Sequence, residues 1–293
     1  MRFAVFADHR LGVLDPDDPD LIVDVTDLVP SPPYGPGGPL QRLVETGRSI
    51  VPGDLTGRPR LALAGLDVGA PLPRPGKVLG APVNYRDHQT EMREEHSIAD
   101  LGIFLKAPSS VVGPGDVVEL PYLDVRTDQE GELVVVIGRR ARHVPVERAM
   151  EHVFGYTCGL DMTIRSTEDR STRKSFETFS PLGPYVVTAD EIGDPGRLDL
   201  TCRVAGTVRQ QTSTSALIFG VPELVAYASS VMTLDPGDVI YTGTPAGVGP
   251  VADGDRVEVE ITDVGLLAVT VSAAGARPYA ERPRPAATAV APS

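Results

Sequence analysis

The stretch DQEGELVVVIG, residues 128–138, sets two acidic residues directly before an apolar run that is typical of a buried β-strand. Side chains alternate between the faces of a strand, so Glu130 and Glu132 would share one face, about 6–7 Å apart along it. Carboxylates this close repel each other, and burial disfavours their charged forms further. The pair is therefore either a solvated sheet face or a place where a divalent cation binds.

A third acid follows a second apolar stretch. Asp161 comes directly after GYTCGL, residues 155–160, and precedes a turn. Acids at the ends of neighbouring strands can converge, and Mg²⁺ and Ca²⁺ prefer such hard oxygen ligands. The spacing alone leaves both the metal site and the solvated acids open.

Composition narrows the class of protein. The chain has 293 residues and 41% hydrophobic content, which is enough for a sizeable core. It has no apolar run as long as a membrane span, and MRFAVFADHR at its start lacks the pattern of a signal peptide, so we expect a cytoplasmic protein without a membrane partner. A net charge of −13 without any lysine or arginine block argues against nucleic-acid binding.

Turn signals predict a β-rich α+β fold. The chain has 30 glycines and 28 prolines, which favour short strands joined by turns. A Gly-Asp turn leads into a β-branched strand three times, within residues 114–121, 236–243 and 253–261. Helices are predicted at 145–153 and 221–232, each with a proline at its start.

The same signals suggest three regions. Residues 1–70 are expected to form a small N-terminal α+β domain, and PLPRPG at 71–76 marks the boundary. Residues 71–275 are strand-rich and predict a curled or barrel-like mixed sheet. Residues 276–293 are rich in proline and alanine and are predicted to be a disordered tail.

Six blocks resemble the fumarylacetoacetate hydrolase (FAH) superfamily, and together they span most of the chain. The blocks are NYRDHQTEM (84–92), IFLKAPSSVVGPGD (103–116), DQEGELVVVIGRRAR (128–142), GYTCGLDMTIR (155–165), RKSFETFSPLGP (173–184) and GDVIYTGTPAGVG (237–249). The resemblance implies an FAH-type mixed β-roll catalytic domain behind a small N-terminal α+β domain, and a homodimer.

The resemblance also implies a metal site. It places the metal-binding acids at Glu130, Glu132 and Asp161, so that a cation relieves the repulsion between them. The expected ion is Mg²⁺ or Mn²⁺, with Ca²⁺ as an alternative. Family substrates are small 2-oxo acids or their enols, whose carboxylate and 2-oxo oxygens chelate the metal. The cation then stabilises the enolate that forms when a C–C bond breaks.

Three further residues match the family's catalytic groups. His88 and Glu91 are three residues apart and would share one side of a helix, so that Glu91 can orient the ring while His88 takes a proton from water. Lys174 matches the site lysine and could stabilise a developing negative charge. Without the family context, His88 and Glu91 would be a surface pair and Lys174 a solvated lysine.

Substrate contacts are predicted at four positions. Arg165 could pair with a substrate carboxylate, and Thr244 lies where the family binds a substrate oxygen. Thr178 is a candidate to position Lys174 or the metal shell, and Tyr85 is a further candidate.

Two features near these positions are open or atypical. Lys106 is either a site-lining residue or part of a structural ion pair. The segment STEDRST, residues 166–172, has a serine after the arginine and lacks a glutamine, where family members often carry an acid and a glutamine. These positions help to shape the substrate pocket.

The resemblance leaves three functions open. The first is a metal-dependent hydrolase that cleaves a C–C bond in an acylpyruvate or fumarylpyruvate-like 2-oxo acid. The second is a 2-oxo acid decarboxylase or a 2-hydroxy-dienedioate isomerase of aromatic catabolism, which begins from the same enolate chemistry. The third is a catalytically silent member that binds a metabolite. The complete set of candidate residues favours an enzyme over the silent member.

Overall fold

The N-terminal part of the protein contributes five strands and one α-helix. A computed structural model describes residues 1–7, 9–30 and 37–283. In chain order the elements are β1 (Arg2–Phe6), β2 (Arg10–Leu14), β3 (Leu21–Asp24), α1 (Gly38–Glu45), β4 (Arg60–Ala62) and β5 (Val68–Gly69).

The rest of the chain is dominated by strands. The elements are β6 (Val78–Gly80), α2 (Arg86–Met92), α3 (Ile98–Leu101), β7 (Phe104–Lys106), β8 (Val111–Val112), β9 (Val117–Glu119), β10 (Thr127–Gln129), β11 (Gly131–Ile137), β12 (Val153–Leu160), β13 (Thr163–Ile164), α4 (Arg170–Arg173), β14 (Ser180–Thr188), α5 (Ala189–Ile192), β15 (Asp199–Val204), β16 (Thr207–Ser213), α6 (Val221–Val231), β17 (Val239–Tyr241), β18 (Gly249–Pro250), β19 (Arg256–Ile261) and β20 (Gly265–Ser272). Short 3₁₀ helices lie at Thr26–Leu28, Pro52–Leu55, Pro108–Ser110, Val146–His152, Pro195–Arg197, Thr214–Ala216 and Tyr279–Glu281.

The strands form three sheets, which confirms the predicted β-rich α+β class. The largest sheet runs β4-β3-β2-β1-β14-β12-β11-β17-β6-β7, with β5 beside β1 and β8 beside β14. A second sheet runs β16-β15-β19-β20-β9, and a third runs β13-β10-β18. None of the described helices is long and apolar enough to cross a membrane.

Strand β11 is buried on both faces, which explains its uninterrupted apolar sequence. Leu133, Val135 and Ile137 belong to the core between the large sheet and the five-stranded sheet. Val134 and Val136 point the other way, into a core shared with the N-terminal strands. The strand therefore lies at the centre of the molecule, and the acids at its beginning are held by a rigid element.

The N-terminal part shares its sheet and core with the remainder. Strand β1 pairs antiparallel with β14, with Arg2 opposite Val187 and Phe3 opposite Val186. Phe3 also packs in the same apolar core as Val134 of β11. The boundary proposed at residues 71–76 lies in the connection between β5 and β6.

The predicted Gly-Asp turns and the second helix are confirmed. Gly115, Gly237 and Gly254 have φ values of +80°, +88° and +82°, a conformation that glycine adopts without strain. Helix α6 covers most of the second predicted helix. The first predicted helix is wrong in type, because Arg148 and Val153 bond to carbonyls three residues earlier and form a 3₁₀ helix.

The segment predicted to be a disordered tail is ordered in its first part. Tyr279 stacks edge-on against Tyr122 with ring centroids 4.9 Å apart, and its hydroxyl donates to Oε1 of Glu168 at 2.7 Å. Arg282 pairs with Glu168 at 2.6 Å. These partners are distant in sequence, so composition alone does not reveal them. The prediction for residues 284–293 lies outside the described residues.

Candidate active site

Three buried acids meet where the large sheet joins the three-stranded sheet. Glu130, Glu132 and Asp161 are 5%, 2% and 1% exposed, and one carboxylate oxygen of each lies within 4.8 Å of the others. Strands β11 and β12 pair so that Glu132 is opposite Gly159. The backbone N–H of Asp161 donates to the carbonyl of Glu130 at 2.8 Å, which brings the third acid to the first two.

The sequence suggested that Glu130 and Glu132 lie on one continuous strand, but the structure shows that they do not. Strand β10 ends at Gln129 and β11 begins at Gly131, so Glu130 stands at a break. β10 pairs with β13 and β18, whereas β11 pairs with β12 and β17. The break allows the carboxylates of Glu130 and Glu132 to converge.

Two buried lysines bind the acids. Nζ of Lys174 donates to Oε2 of Glu130 at 2.6 Å and to Oδ2 of Asp161 at 2.5 Å. Nζ of Lys106 donates to Oδ1 of Asp161 at 2.5 Å and to the carbonyl of Phe179 at 2.8 Å. Lys106, left open by the sequence, is thus part of an ion pair with a site acid. The two ammonium groups offset part of the buried negative charge.

The acids respond differently to this environment. Burial raises the pKa of Glu130, but the charges of Lys174 and Arg165 outweigh it and bring the pKa down to about 2. Burial and the neighbouring charge of Asp161 raise the pKa of Glu132 well above its ordinary value. Without a cation, the cluster therefore tends to keep a proton on Glu132.

His88 and Glu91 form a hydrogen-bonded pair beside the acids. Both lie on helix α2, and Nδ1 of His88 is 3.1 Å from Oε2 of Glu91. Oε1 of Glu91 accepts a hydrogen bond of 2.9 Å from the N–H of Gly247. A protonated His88 would lower the pKa of Glu130, so the imidazole lies near the acid cluster. The two side chains thus lie on the same side of helix α2, and their catalytic role stays a prediction.

The loop GTPAGVG, residues 243–249, supplies backbone donors to two of these acids. The N–H of Gly243 donates to Oε2 of Glu132 at 2.6 Å, and Gly247 serves Glu91 as described. Gly243 and Gly247 have φ values of +99° and +98°. A Cβ at Gly247 would lie 1.9 Å from the carbonyl oxygen of Arg209. The glycines are therefore needed for the close approach that aims these N–H groups.

Asn84 anchors the segment that leads into α2. Its Nδ2 donates to the carbonyls of Phe219 and Thr242 at 2.9 and 2.8 Å, and its Oδ1 accepts from the N–H of Phe219 at 2.8 Å. These three hydrogen bonds join the start of the helix to the loops before α6 and after β17. The position of His88 thus depends on a buried amide whose two N–H donors and oxygen are all bonded.

The comparison with protein families settles the relationship. The C-terminal domain of fumarylacetoacetate (FAA) hydrolases matches residues 77–272. The chain belongs to the fumarylacetoacetate hydrolase family. Its acid cluster, both lysines and the His88–Glu91 pair all lie inside the matched region.

Individual FAH-family relatives match between about three quarters and nine tenths of the chain. A maleylpyruvate hydrolase of Aquipseudomonas alcaligenes is 42% identical over 287 residues, covering 92% of this chain and 99% of the relative. The crystal structure of a maleylpyruvate hydrolase from Sphingobium sp. SYK-6, with manganese(II) and pyruvate, is 39% identical with a TM-score of 0.83, covering 93% and 99%. The oxaloacetate tautomerase YisK of Bacillus subtilis is 39% identical over 230 residues, covering 74% and 76%.

Arg165, predicted to pair with a substrate carboxylate, instead bonds to two acids of the protein. Its Nε donates to Oδ2 of Asp128 at 2.6 Å and its Nη2 to Oε1 of Glu130 at 2.8 Å. Asp128 is fully buried and also binds Arg126. The guanidinium is therefore engaged by two acids rather than free for a substrate carboxylate. Sequence reasoning missed Asp128, although its position two residues before Glu130 continues the alternating acid pattern.

Two of the predicted substrate contacts lie close to the acid cluster. Oγ1 of Thr244 donates to the carbonyl of Gly131 at 3.0 Å and accepts from Nε2 of Gln210 at 2.7 Å. Tyr85 is buried, and its hydroxyl has no hydrogen-bond partner in the described part of the chain. Burial and the charge of Glu132 raise the pKa of Tyr85.

Thr178 is not placed with the other candidates. Its Oγ1 accepts a hydrogen bond of 2.8 Å from the backbone N–H of Glu119, on strand β9. Its φ of +68° turns the chain sharply between Lys174 and Phe179. The hydroxyl therefore fixes a turn and bonds to neither Lys174 nor the three clustered acids, so its predicted roles in positioning Lys174 or the metal shell and in binding substrate have no support in this geometry.

Proposed function

We propose that this FAH-family protein is a divalent-metal-dependent hydrolase that cleaves a C–C bond in a small acylpyruvate-type 2-oxo acid. The observation that carries the proposal is the convergence of three buried acids with a histidine–glutamate pair that can activate water. Maleylpyruvate hydrolases that match this chain along nearly their whole length support the same reaction class.

The donor set suits Mg²⁺ or Mn²⁺. Glu130, Glu132 and Asp161 offer hard carboxylate oxygens within 4.8 Å of one another, the ligand type that these ions prefer. A cation there supplies a Lewis acid that polarises the 2-oxo group and offsets the charge of an enolate. The raised pKa of Glu132 gives a second reason, since a bound cation favours the charged form of that carboxyl.

His88 is proposed as the general base. Glu91 holds Nδ1, so Nε2 is the nitrogen that can accept a proton from water. Water oxygen then bonds to the acyl carbonyl carbon, and the bond between that carbon and the CH₂ of the pyruvyl part breaks. The electron pair of that bond passes into the pyruvate enolate, and a proton returned to the CH₂ carbon completes pyruvate. The other product is a free carboxylic acid.

Lys174 is proposed to stabilise the negative charge that develops. Its ammonium already lies 2.6 Å from Glu130 and 2.5 Å from Asp161, inside a site from which water is largely excluded. Burial alone would lower the pKa of Lys174, but the charges of Asp161 and Glu130 raise it by more, so that the net pKa lies above the ordinary value and the lysine stays protonated. A fixed cation in such surroundings stabilises an enolate more strongly than the same cation in water.

A second candidate is tautomerisation, isomerisation or decarboxylation of a 2-oxo dicarboxylic acid. The match to an oxaloacetate tautomerase over 74% of this chain supports this second candidate. These reactions use the same enolate but need no attacking water. The hydrogen-bonded His88–Glu91 pair favours hydrolysis, because it provides a base for water.

A substrate panel separates the two candidates. Purified protein would be incubated with a series of acylpyruvates and with oxaloacetate, with Mn²⁺, with Mg²⁺ and with EDTA. We expect metal-dependent loss of the enol absorbance of acylpyruvates, with pyruvate and the matching acid as products. Inert acylpyruvates beside rapid conversion of oxaloacetate would reject the hydrolase.

The proposal also includes a homodimer in the cytoplasm, which the family resemblance and the sequence lead us to expect. Light scattering of the purified protein tests the dimer.

A further inference from the structure

Arg173 is a cation without a partner at the edge of the candidate active site. It is the last residue of helix α4 and directly precedes Lys174. Its Nε is shielded from solvent and makes no hydrogen bond in the described part of the chain. Its guanidinium takes part in none of the ion pairs formed by the described residues. A partly buried, unpaired charge destabilises a fold, so such a residue calls for a functional reason.

The charges around Arg173 place it beside the site. Burial lowers its pKa, the positive charges of Arg170 and Arg165 lower it further, and the negative charges of Glu130 and Asp161 oppose them. The guanidinium therefore lies within electrostatic reach of the acids that would hold the metal, yet it bonds to neither of them.

The other buried cations of the site are occupied. Lys174 and Lys106 bind the cluster acids, and Arg165 binds Asp128 and Glu130. Arg173 and Arg170, three residues before it on α4, form no ion pair with the described residues, and of the two only Arg173 has a guanidinium nitrogen that is both shielded from solvent and unbonded. An anion bound to Arg173 would come from a ligand or from solvent, because no carboxylate of the described residues forms an ion pair with its guanidinium.

We propose that Arg173 binds the second carboxylate of a dicarboxylic 2-oxo acid. The inference rests on the proposed function, in which the 2-oxo and first carboxylate groups lie at the acid cluster. A planar guanidinium can grip a distal carboxylate with two parallel hydrogen bonds. Arg173 is thus a specificity residue that distinguishes dicarboxylic from monocarboxylic acylpyruvates.

A pair of matched substrates tests this role. The first is maleylpyruvate, and the second is an acylpyruvate of equal length whose distal carboxylate is replaced by a methyl group. In Arg173→Gln, we expect KM for maleylpyruvate to rise about 10–100-fold, because a bidentate charge-assisted contact is lost. KM for the methyl analogue should change less than about 3-fold, since that substrate never used the contact. Arg173→Lys should give an intermediate KM for maleylpyruvate.

Two controls separate binding from structural damage. Arg142→Gln removes the same charge from an exposed position beyond the C-terminal end of β11, where the arginine has no ion-pair partner among the described residues, and should leave both KM values unchanged. The melting temperature of Arg173→Gln should equal or exceed that of the wild type, because an unpaired buried charge is removed.

The outcomes are distinct. An equal loss on both substrates, or a clear drop in melting temperature, would mean that Arg173 is structural and would overturn the proposal. Wild-type protein that prefers the methyl analogue would overturn it too. Wild-type protein that cleaves neither substrate would instead reject the proposed hydrolase, and the assignment of Arg173 would fall with it.

Discussion

Glu91 and Gly247 are joined by a hydrogen bond of 2.9 Å, in which the N–H of Gly247 donates to Oε1 of Glu91. The second oxygen of the same carboxylate holds His88. One side chain thus fastens helix α2 to the glycine-rich loop and orients the proposed base. The orientation of the proposed base and the attachment of helix α2 to the loop depend on the same residue, and two substitutions can separate them.

Glu91→Gln keeps an oxygen for Gly247 but loses the charge beside His88, whereas Glu91→Ala loses both. We expect Glu91→Gln to lower kcat by roughly 10–10²-fold with unchanged hydrogen exchange in residues 86–92, because only the support for the imidazolium is weakened. Glu91→Ala should also raise exchange across that helix. Exchange mass spectrometry and steady-state kinetics check both, and unchanged exchange in Glu91→Ala would refute the fastening role.

His88→Ala should lower kcat by roughly 10²–10⁴-fold, the usual contribution of a general base. The affinity for Mn²⁺, measured by calorimetry, should stay within about 3-fold of wild type, because His88 is not one of the three clustered acids. A variant that lost the metal would place the imidazole among the ligands and contradict its assignment as the base.

The raised pKa of Glu132 makes the stability of the metal-free protein depend on pH. An acid whose folded pKa lies above its unfolded value loses stability as pH rises from the unfolded pKa, near 4.5, through the folded one. Glu132→Gln removes that loss and can still accept the hydrogen bond from Gly243. In EDTA at pH 8 we expect the variant to unfold with about 1–3 kcal/mol more free energy than wild type.

Below about pH 4 the difference should vanish, since Glu132 is then protonated in both states. Binding of Mn²⁺ to wild type should release a proton and strengthen as pH rises within the same window. Glu132→Gln should bind the ion far more weakly and lose activity with it. A metal-free variant less stable than wild type at pH 8 would contradict the assigned direction of the pKa.

Lys106→Met tests whether the second lysine holds the cluster together. Its ammonium is completely buried between Asp161 and the carbonyl of Phe179. Removing one partner of a buried pair should lower the free energy of unfolding by about 3–5 kcal/mol, because Asp161 is left with less compensation. Arg148→Gln, which breaks an exposed pair with Glu151, should cause no measurable loss in the same urea titration. Equal stability of Lys106→Met and wild type would contradict this role.

The buried strand and the turns of this fold could be predicted from the sequence. The apolar run after Glu132 predicted a buried strand, and the Gly-Asp turns predicted where strands begin, because both depend on neighbouring residues. The three acids proposed as metal ligands were suggested by the spacing of Glu130 and Glu132 together with the family resemblance, and their carboxylates lie within 4.8 Å of one another.

The ion-pair and stacking partners of long side chains could not be predicted from the sequence. Asp128 binds Arg165 across 37 residues, and Lys106 reaches Asp161 across 55, so only the folded chain reveals that these cations are occupied. The same holds for Tyr279, whose contacts with Tyr122 and Glu168 order a segment of disorder-prone composition. Local pattern also failed at residues 146–152, where hydrogen bonds close after three residues rather than four.

The most direct test of the hydrolase is the mass of the products formed in ¹⁸O-labelled water. With Mn²⁺ and maleylpyruvate, we predict one pyruvate for each maleate, with label from water in a carboxyl group of maleate and none in the carboxyl group of pyruvate. His88→Ala should form both products more slowly with the same labelling pattern. Consumption of maleylpyruvate to a product of unchanged mass, without release of pyruvate, would contradict hydrolysis and make the protein an isomerase.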